Sequence, residues 1–196
     1  MTYNKPDTKL DECIFIAEKS IPADLCDIVV QDIETREWKP HHWYNNVTEK
    51  KHSKETMELD VQFATPELQK VLGKYVVEAG RQYNQNYSYS LPEQSGQIMY
   101  QFSALRFNRY APGQIMRQHM DHIQSLFDGK NKGIPVLTFI LNFNDDYEGA
   151  DLFFWEDIVV PLGKGDICMF PSNFLFPHGV TEATRGKRYS GSVWGW

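Results

Sequence analysis

Tyr110-Ala-Pro-Gly-Gln-Ile-Met-Arg-Gln-His119-Met-Asp121 is the stretch on which the reading of this chain turns. Ala111-Pro112-Gly113 is a turn signal, and the run from Gln114 to Met120 behind it reads as extended. Side chains two apart on a strand point to one face, so this spacing sends His119 and Asp121 the same way. Short β-type runs recur on either side: Tyr100 to Tyr110, Val136 to Phe143, Ala150 to Trp155, Ile158 to Val160, Asp166 to Phe170 and Tyr189 to Trp194. Turn signals such as Asn144-Asp-Asp, Leu162-Gly-Lys-Gly and Thr184-Arg-Gly-Lys separate them. Many short strands at this spacing predict a sandwich or barrel of jelly-roll type.

The first half of the chain reads as helical. Leu25, Ile28, Val29 and Ile33 fall on one helix face, with Pro22 suited to the first turn. Thr65 and Pro66 suit the N-cap and N1 positions of a second helix, whose apolar stripe runs through Leu68, Val71, Leu72, Tyr75, Val76 and Ala79. Between them, Trp38 to Glu55 reads as a polar surface loop, in which Trp43 and Tyr44 could close over a substrate as a lid. The expectation is one domain over residues 1–196, with a helical support region 1–97 and a β core 98–196.

At 196 residues the chain has room for a single core. A formal charge of −6 argues against nucleic acid as partner, because phosphate binding needs a basic footprint. No run approaches the roughly 20 apolar residues of a membrane helix, and Met1 to Asp11 lacks the apolar segment of a secretory signal. Cys13, Cys26 and Cys168 are odd in number and widely spaced, which predicts free thiols and a cytoplasmic, reducing setting.

An imidazole and a carboxylate on one face supply two metal ligands, and His178 in Phe176-Pro-His-Gly-Val is the best third. Two histidines and one carboxylate leave coordination positions open, the facial triad of non-haem Fe(II) oxygenases. Taken alone, H-x-D is common and more often structural. His122 is a rival ligand, although on a strand it points away from His119. His41, His42 and His52 sit in the polar loop, where solvation is the expectation and an adventitious site on His41 and His42 the alternative. Arg188 and Ser190 share a face if Tyr189 to Trp194 is a strand, and a guanidinium beside a hydroxyl suits a carboxylate. Read alone, Arg188 is better explained as a solvated charge at a strand end.

The stretch from Tyr110 to Asp121 resembles the Y-x-x-G-Q-x-x-x-x-H-x-D motif of prolyl 4-hydroxylase-like 2-oxoglutarate/Fe(II) dioxygenases. Leu137-Thr-Phe-Ile-Leu-Asn142, Glu148-Gly-Ala-Asp-Leu-Phe, Gly163-Lys-Gly-Asp166-Ile-Cys-Met-Phe170, Pro177-His178-Gly-Val and Gly186-Lys-Arg188-Tyr-Ser-Gly-Ser-Val-Trp194 continue the resemblance in order, over roughly residues 98 to 196. It implies a double-stranded β-helix, a form of jelly roll related to cupins, with N-terminal helices supporting one sheet. It implies His119, Asp121 and His178 as iron ligands. Arg188, Tyr110, Thr138 and Ser190 are the implied 2-oxoglutarate contacts. Trp194, Arg106 and Met116 fall to the substrate side. Fe(II) is the implied cofactor, 2-oxoglutarate and O2 the co-substrates, and ascorbate (vitamin C) a reductant.

Met116 stands where prolyl hydroxylases often carry Tyr or Phe, and Pro135 where they often carry Arg. The polar insert Asp128 to Gly133 falls near the same mouth. The implied activity is hydroxylation of a protein or peptide, at proline first. The alternatives are the same chemistry on a free amino acid, another residue or a small metabolite, a cupin with another metal-dependent reaction, and a non-enzymatic jelly-roll binding module.

Overall fold

The computed structural model describes residues 9–45, 50–52, 58–87, 99, 101–121 and 135–196. Among the described residues two α-helices, α1 (Ala23–Glu34) and α2 (Pro66–Tyr87), accompany fifteen strands. The strands are β1 (Phe15–Ala17), β2 (Lys39–Pro40), β3 (Trp43–Asn45), β4 (Lys50–His52), β5 (Asp60–Phe63), β6 (Arg106–Tyr110), β7 (Met116–His119) and β8 (Leu137–Asn142). They continue with β9 (Glu148–Gly149), β10 (Leu152–Phe154), β11 (Ile158–Val160), β12 (Ile167–Pro171), β13 (His178–Val180), β14 (Ala183–Arg185) and β15 (Arg188–Gly195). A seven-stranded sheet runs β1-β12-β8-β15-β6-β5-β2, and a four-stranded sheet runs β11-β10-β13-β7. Pairing within both is antiparallel. This is the double-stranded β-helix that the motif resemblance implied.

Strand alternation sorts the large sheet into two buried faces. Phe107, Leu137, Phe139, Leu141, Ile167, Met169, Tyr189 and Val193 turn to the helices and form the rear core with Val29, Ile33, Leu72, Val76 and Tyr83. Cys168 and Phe170, with partly buried Val61 and Ile140, turn the other way and meet Met116, Leu152, Phe154 and Val180 of the small sheet. Burial of each large apolar side chain contributes about 1.5–3 kcal/mol. The helices thus clamp one face of the large sheet, and the other face is left to build a cavity against the small one.

Both helices form where the apolar spacing placed them, but Ile28 and Val71 of the expected stripes are exposed, while Cys26 is buried in place of Ile28. α1 starts at Ala23, with Pro22 in the capping position rather than inside the first turn. α2 starts at Pro66, and the Leu68 amide donates to the Thr65 hydroxyl at 3.4 Å. It continues past Ala79 to Tyr87 because its far end is tethered. The Tyr83 and Tyr87 hydroxyls donate to the carbonyls of Cys13 and Glu12, and Phe15 packs edge-on against both rings.

The N-terminal part is not helical alone, which corrects the reading above. β1, β2 and β5 extend the large sheet at both edges. Each has two to four residues, too few to carry a legible alternation, and each exists because a neighbouring strand pairs with it. The segment read as a polar loop holds the β3–β4 pair. Residues 46–49 and 53–55 of it lie outside the described residues, as do His122 and the insert at 128–133. No helix among the described residues is long and apolar enough to cross a membrane.

Candidate metal centre

His119 ends β7 and His178 begins β13, and the two face each other directly across the antiparallel pair. Gly179 permits that approach: a Cβ there would lie 2.8 Å from the Met116 carbonyl oxygen and 2.7 Å from the Phe153 ring. Asp121 lies two residues past His119, beyond the end of the strand. The imidazole rings are 4.4 Å apart. Asp121 Oδ1 is 3.4 Å from His119 Nε2, and Oδ2 is 3.6 Å from His178 Nε2. One ligand atom from each of the three residues falls within 4.8 Å of the others.

Both histidines are aimed by the same device. His119 Nδ1 lies 2.9 Å from the Arg117 carbonyl, and His178 Nδ1 lies 3.1 Å from the Phe176 carbonyl. A proton on Nδ1 satisfies each carbonyl and leaves each Nε2 lone pair facing Asp121. Burial, offset in part by Asp121, pushes His178 below the ordinary histidine range, which keeps it neutral at neutral pH. Burial pushes the Asp121 carboxyl up. His178, His119 and the Thr138 hydroxyl outweigh it and hold Asp121 well below the usual carboxylate range. Two imidazoles with Nε2 turned toward an ionised carboxylate are the donor set that suits Fe(II) with open positions.

Thr138 belongs to this centre. Its hydroxyl donates to Asp121 Oδ2 at 2.8 Å and accepts from the Ser172 hydroxyl at 2.7 Å, so a buried relay fixes the carboxylate. That departs from its expected place at the distal end of 2-oxoglutarate. The register sets Thr138 opposite Trp194, six residues along β15 from Arg188. At a rise of ~3.3 Å per residue this is roughly 20 Å away.

Arg188 marks the other end of the same cavity, with Tyr110, Ser190, Leu152 and Val180 in its wall. It is 1% exposed. Its Nε donates to Asn142 Oδ1 at 3.0 Å and its Nη1 to the Ala150 carbonyl at 2.7 Å. Both partners are neutral. Among the described residues no carboxylate lies within ion-pair distance of it, so the reading of Arg188 as a solvated strand-end charge does not hold. The Tyr110 and Tyr147 rings sit 5.8 and 5.9 Å from its guanidinium carbon. Burial raises the Tyr110 hydroxyl above the ordinary tyrosine range, leaving it a neutral donor.

Asn142 and Ala150 were not singled out from the sequence as site residues. Asn142 donates to the carbonyls of Asn144, Leu162 and Gly163, which locks its oxygen toward Arg188. A polar residue closing the apolar run Leu137 to Leu141 was the available signal. Ala150 takes a positive φ of 51° after Gly149 at 69°, and this turn aims its carbonyl inward. A Cβ at Gly149 would meet the Glu182 carbonyl at 2.2 Å.

Arg106 and Trp194, with Met116, line the cavity on the remaining side. The Arg106 guanidinium lies 5.2 Å from the Trp194 ring centroid, and its Nε donates to Asn108 Oδ1 at 3.0 Å. Nearby, His41 is not the solvated loop residue expected. It is packed inward with Nδ1 3.2 Å from buried Glu58, while His42 is exposed, so the two do not form a joint site. Burial and neighbouring Arg106 push His41 down to about 4 despite Glu58. Arg117 pairs with the other Glu58 oxygen at 2.6 Å.

Comparison with known proteins follows the same outline. The family model described as the 2OG-Fe(II) oxygenase superfamily matches residues 105–196. A PKHD-type hydroxylase of Caulobacter vibrioides is 34% identical over 94 residues, which is 45% of this chain and 40% of that protein. Prolyl 4-hydroxylase 1 of Arabidopsis thaliana is 26% identical over 125 residues, covering 53% of this chain and 42% of that protein. The matches thus span about two fifths of the length of these relatives. Among solved structures, a prolyl-4-hydroxylase of Pseudomonas putida superposes with TM-score 0.64 at 20% identity, over 93% of this chain and 91% of its own. A viral collagen prolyl hydroxylase from Paramecium Bursaria Chlorella virus-1, solved with 2OG, gives 0.66 at 14% identity over 95% and 97%. Motif, family model and fold agree: residues 105–196 are similar to the 2OG-Fe(II) oxygenase superfamily, and the chain as a whole has the fold of the solved prolyl hydroxylases.

Proposed function

We propose that this single domain is a 2-oxoglutarate- and Fe(II)-dependent hydroxylase acting on a protein or peptide, with proline the first target. One observation carries the reading: the His119, Asp121, His178 cluster and a buried guanidinium without an acidic partner among the described residues line one cavity. A desolvated charge of this kind costs stability unless a counter-charge arrives, and a dicarboxylate supplies one.

In this reading His119, Asp121 and His178 hold the metal. Arg188 anchors the distal carboxylate of 2-oxoglutarate, Asn142 and the Ala150 carbonyl hold Arg188 in place, and Tyr110 and Ser190 complete that wall. Thr138 and Ser172 orient Asp121. Phe154 and Phe170, packed on His178 at 5.7 and 4.6 Å, keep water from that side. Bound Fe(II) and 2-oxoglutarate supply the oxidising chemistry that a protein side chain lacks. Substrate enters past Arg106, Met116 and Trp194. Ascorbate comes with the family as a reductant, and three free cysteines support a cytoplasmic setting.

The test is anaerobic addition of Fe(II) and 2-oxoglutarate to the metal-free protein, watching for the visible charge-transfer band of the chelate. The band forms in wild type and is lost in His178→Ala. In Arg188→Ala metal binding survives. A charge-assisted bond of about 1.5–3 kcal/mol corresponds to a loss of roughly tenfold to a hundredfold in 2-oxoglutarate affinity. Iron binding with no band in wild type overturns the proposal in favour of a cupin with another reaction.

A further inference from the structure

The cavity contains a second guanidinium that the co-substrate does not need. Arg106 and Arg188 both line it, yet they are held to opposite ends of the sheet. Arg188 is pinned by Asn142 and Ala150, while Arg106 pairs across from Ser192 and leans over Trp194. Arg188 and Trp194 are the two ends of one cavity wall, roughly 20 Å apart along the strand. In the reading above Arg188 alone anchors the distal carboxylate of 2-oxoglutarate, which leaves Arg106, on the same cavity lining as Asp121, without an assigned anion.

Arg106 is half-buried and forms no ion pair among the described residues; its hydrogen bond goes to the neutral Asn108 side chain. Beside it, the Trp194 indole Nε1 is a buried donor with no acceptor among the described residues. A guanidinium with no charged partner among the described residues, lying over an indole donor with no acceptor among them, forms a half-made recognition site. The charge inventory points the same way. A dication, the Asp121 carboxylate, a dicarboxylate co-substrate and two guanidinium groups leave one positive charge in excess in a cavity of low dielectric, and one further carboxylate cancels it.

We propose that Arg106 and Trp194 bind a carboxylate of the substrate, so that the substrate is an acid whose carboxylate lies close to the carbon to be hydroxylated. This rests on the oxygenase reading above. It narrows the target from any residue of a peptide to the C-terminal one, of which an N-acylated amino acid is the smallest form.

The protein is loaded with Mn(II) and 2-oxoglutarate and titrated calorimetrically with matched acids and primary amides: N-acetyl-L-proline against N-acetyl-L-prolinamide, and the same pair for leucine. At least one acid binds tenfold or more tightly than its amide. Arg106→Gln abolishes that preference, Arg106→Lys keeps most of it, and Trp194→Phe, which retains the ring and removes the donor, weakens the acid severalfold. The affinity for 2-oxoglutarate in Arg106→Gln stays within twofold of wild type. Amides that bind as well as acids, absence of binding by either, or an acid preference surviving Arg106→Gln overturns the inference. A parallel loss of 2-oxoglutarate affinity does so as well, by making Arg106 a co-substrate residue. Failure of the oxygenase reading itself is seen separately, as an absent Fe(II)/2-oxoglutarate band in wild type.

Discussion

On its rear face β15 presents Tyr189 and Val193 to the helices, and on its front face Arg188, Ser190, Ser192 and Trp194 to the cavity. Both faces are removed from water, but they do different things with that removal. The rear face meets apolar groups and gains stability from every contact. The front face holds a guanidinium, hydroxyls and amides whose hydrogen bonds are answered by Asn108, Asn142 and backbone carbonyls, with Arg188 left short of a counter-charge. One strand therefore divides stabilisation and binding between alternate residues.

The largest break in that comparison belongs to the rear face. Phe139→Ala is expected to cost about 3–5 kcal/mol in urea denaturation, with metal affinity of the folded fraction unchanged. Next is a pH effect at the front. His41 is held at about 4, below the ordinary 6.5. The unfolded protein thus takes up a proton at this site between those values and the folded protein does not. Stability contributed by neutral His41 is complete above about 6.5 and falls as pH drops toward 4, by about 3 kcal/mol at most. Replacing His41 with Phe flattens this part of the stability curve, as measured between pH 4.5 and 7.

The sharpest form of the comparison is Arg188→Met. If the front face trades stability for binding, the metal-free variant is more stable than wild type by about 1–3 kcal/mol, while 2-oxoglutarate binding collapses. A destabilised variant would remove that distinction between the faces. Thr138→Val keeps the shape and deletes the hydrogen bond to Asp121. It is expected to weaken metal binding by about tenfold to a hundredfold, read by competition with a chelating dye. Smallest is Ala150→Gly, which relieves a left-handed backbone at a cost in unfolded-state entropy. Its net effect on stability is under about 1 kcal/mol, and 2-oxoglutarate affinity is retained because the carbonyl stays.

Residues 110–121 and 178–194 made the oxygenase resemblance legible, because iron and 2-oxoglutarate chemistry admits few side chains and the turn and strand signals around them set their order. The helices were legible from spacing alone. Thr138 shows where such reading stops: it lies in a recognisable strand, but which end of the cavity it serves depends on the pairing of β8 with β15. His41 fails similarly. In a polar, His- and Lys-rich segment nothing local tells a solvated histidine from one folded onto Glu58.

Local chemistry therefore determined by itself the two helices, the presence of many short strands and the set of residues able to bind a metal and a dicarboxylate. Only the tertiary structure decided that β1, β2 and β5 are strands, that Asn142, Ser172 and the Ala150 carbonyl support the site, and that Arg106 leans over Trp194. The reason is physical. Periodicity and residue type act over a few positions, whereas register, burial and the partner of a buried charge are set by segments far apart in the sequence.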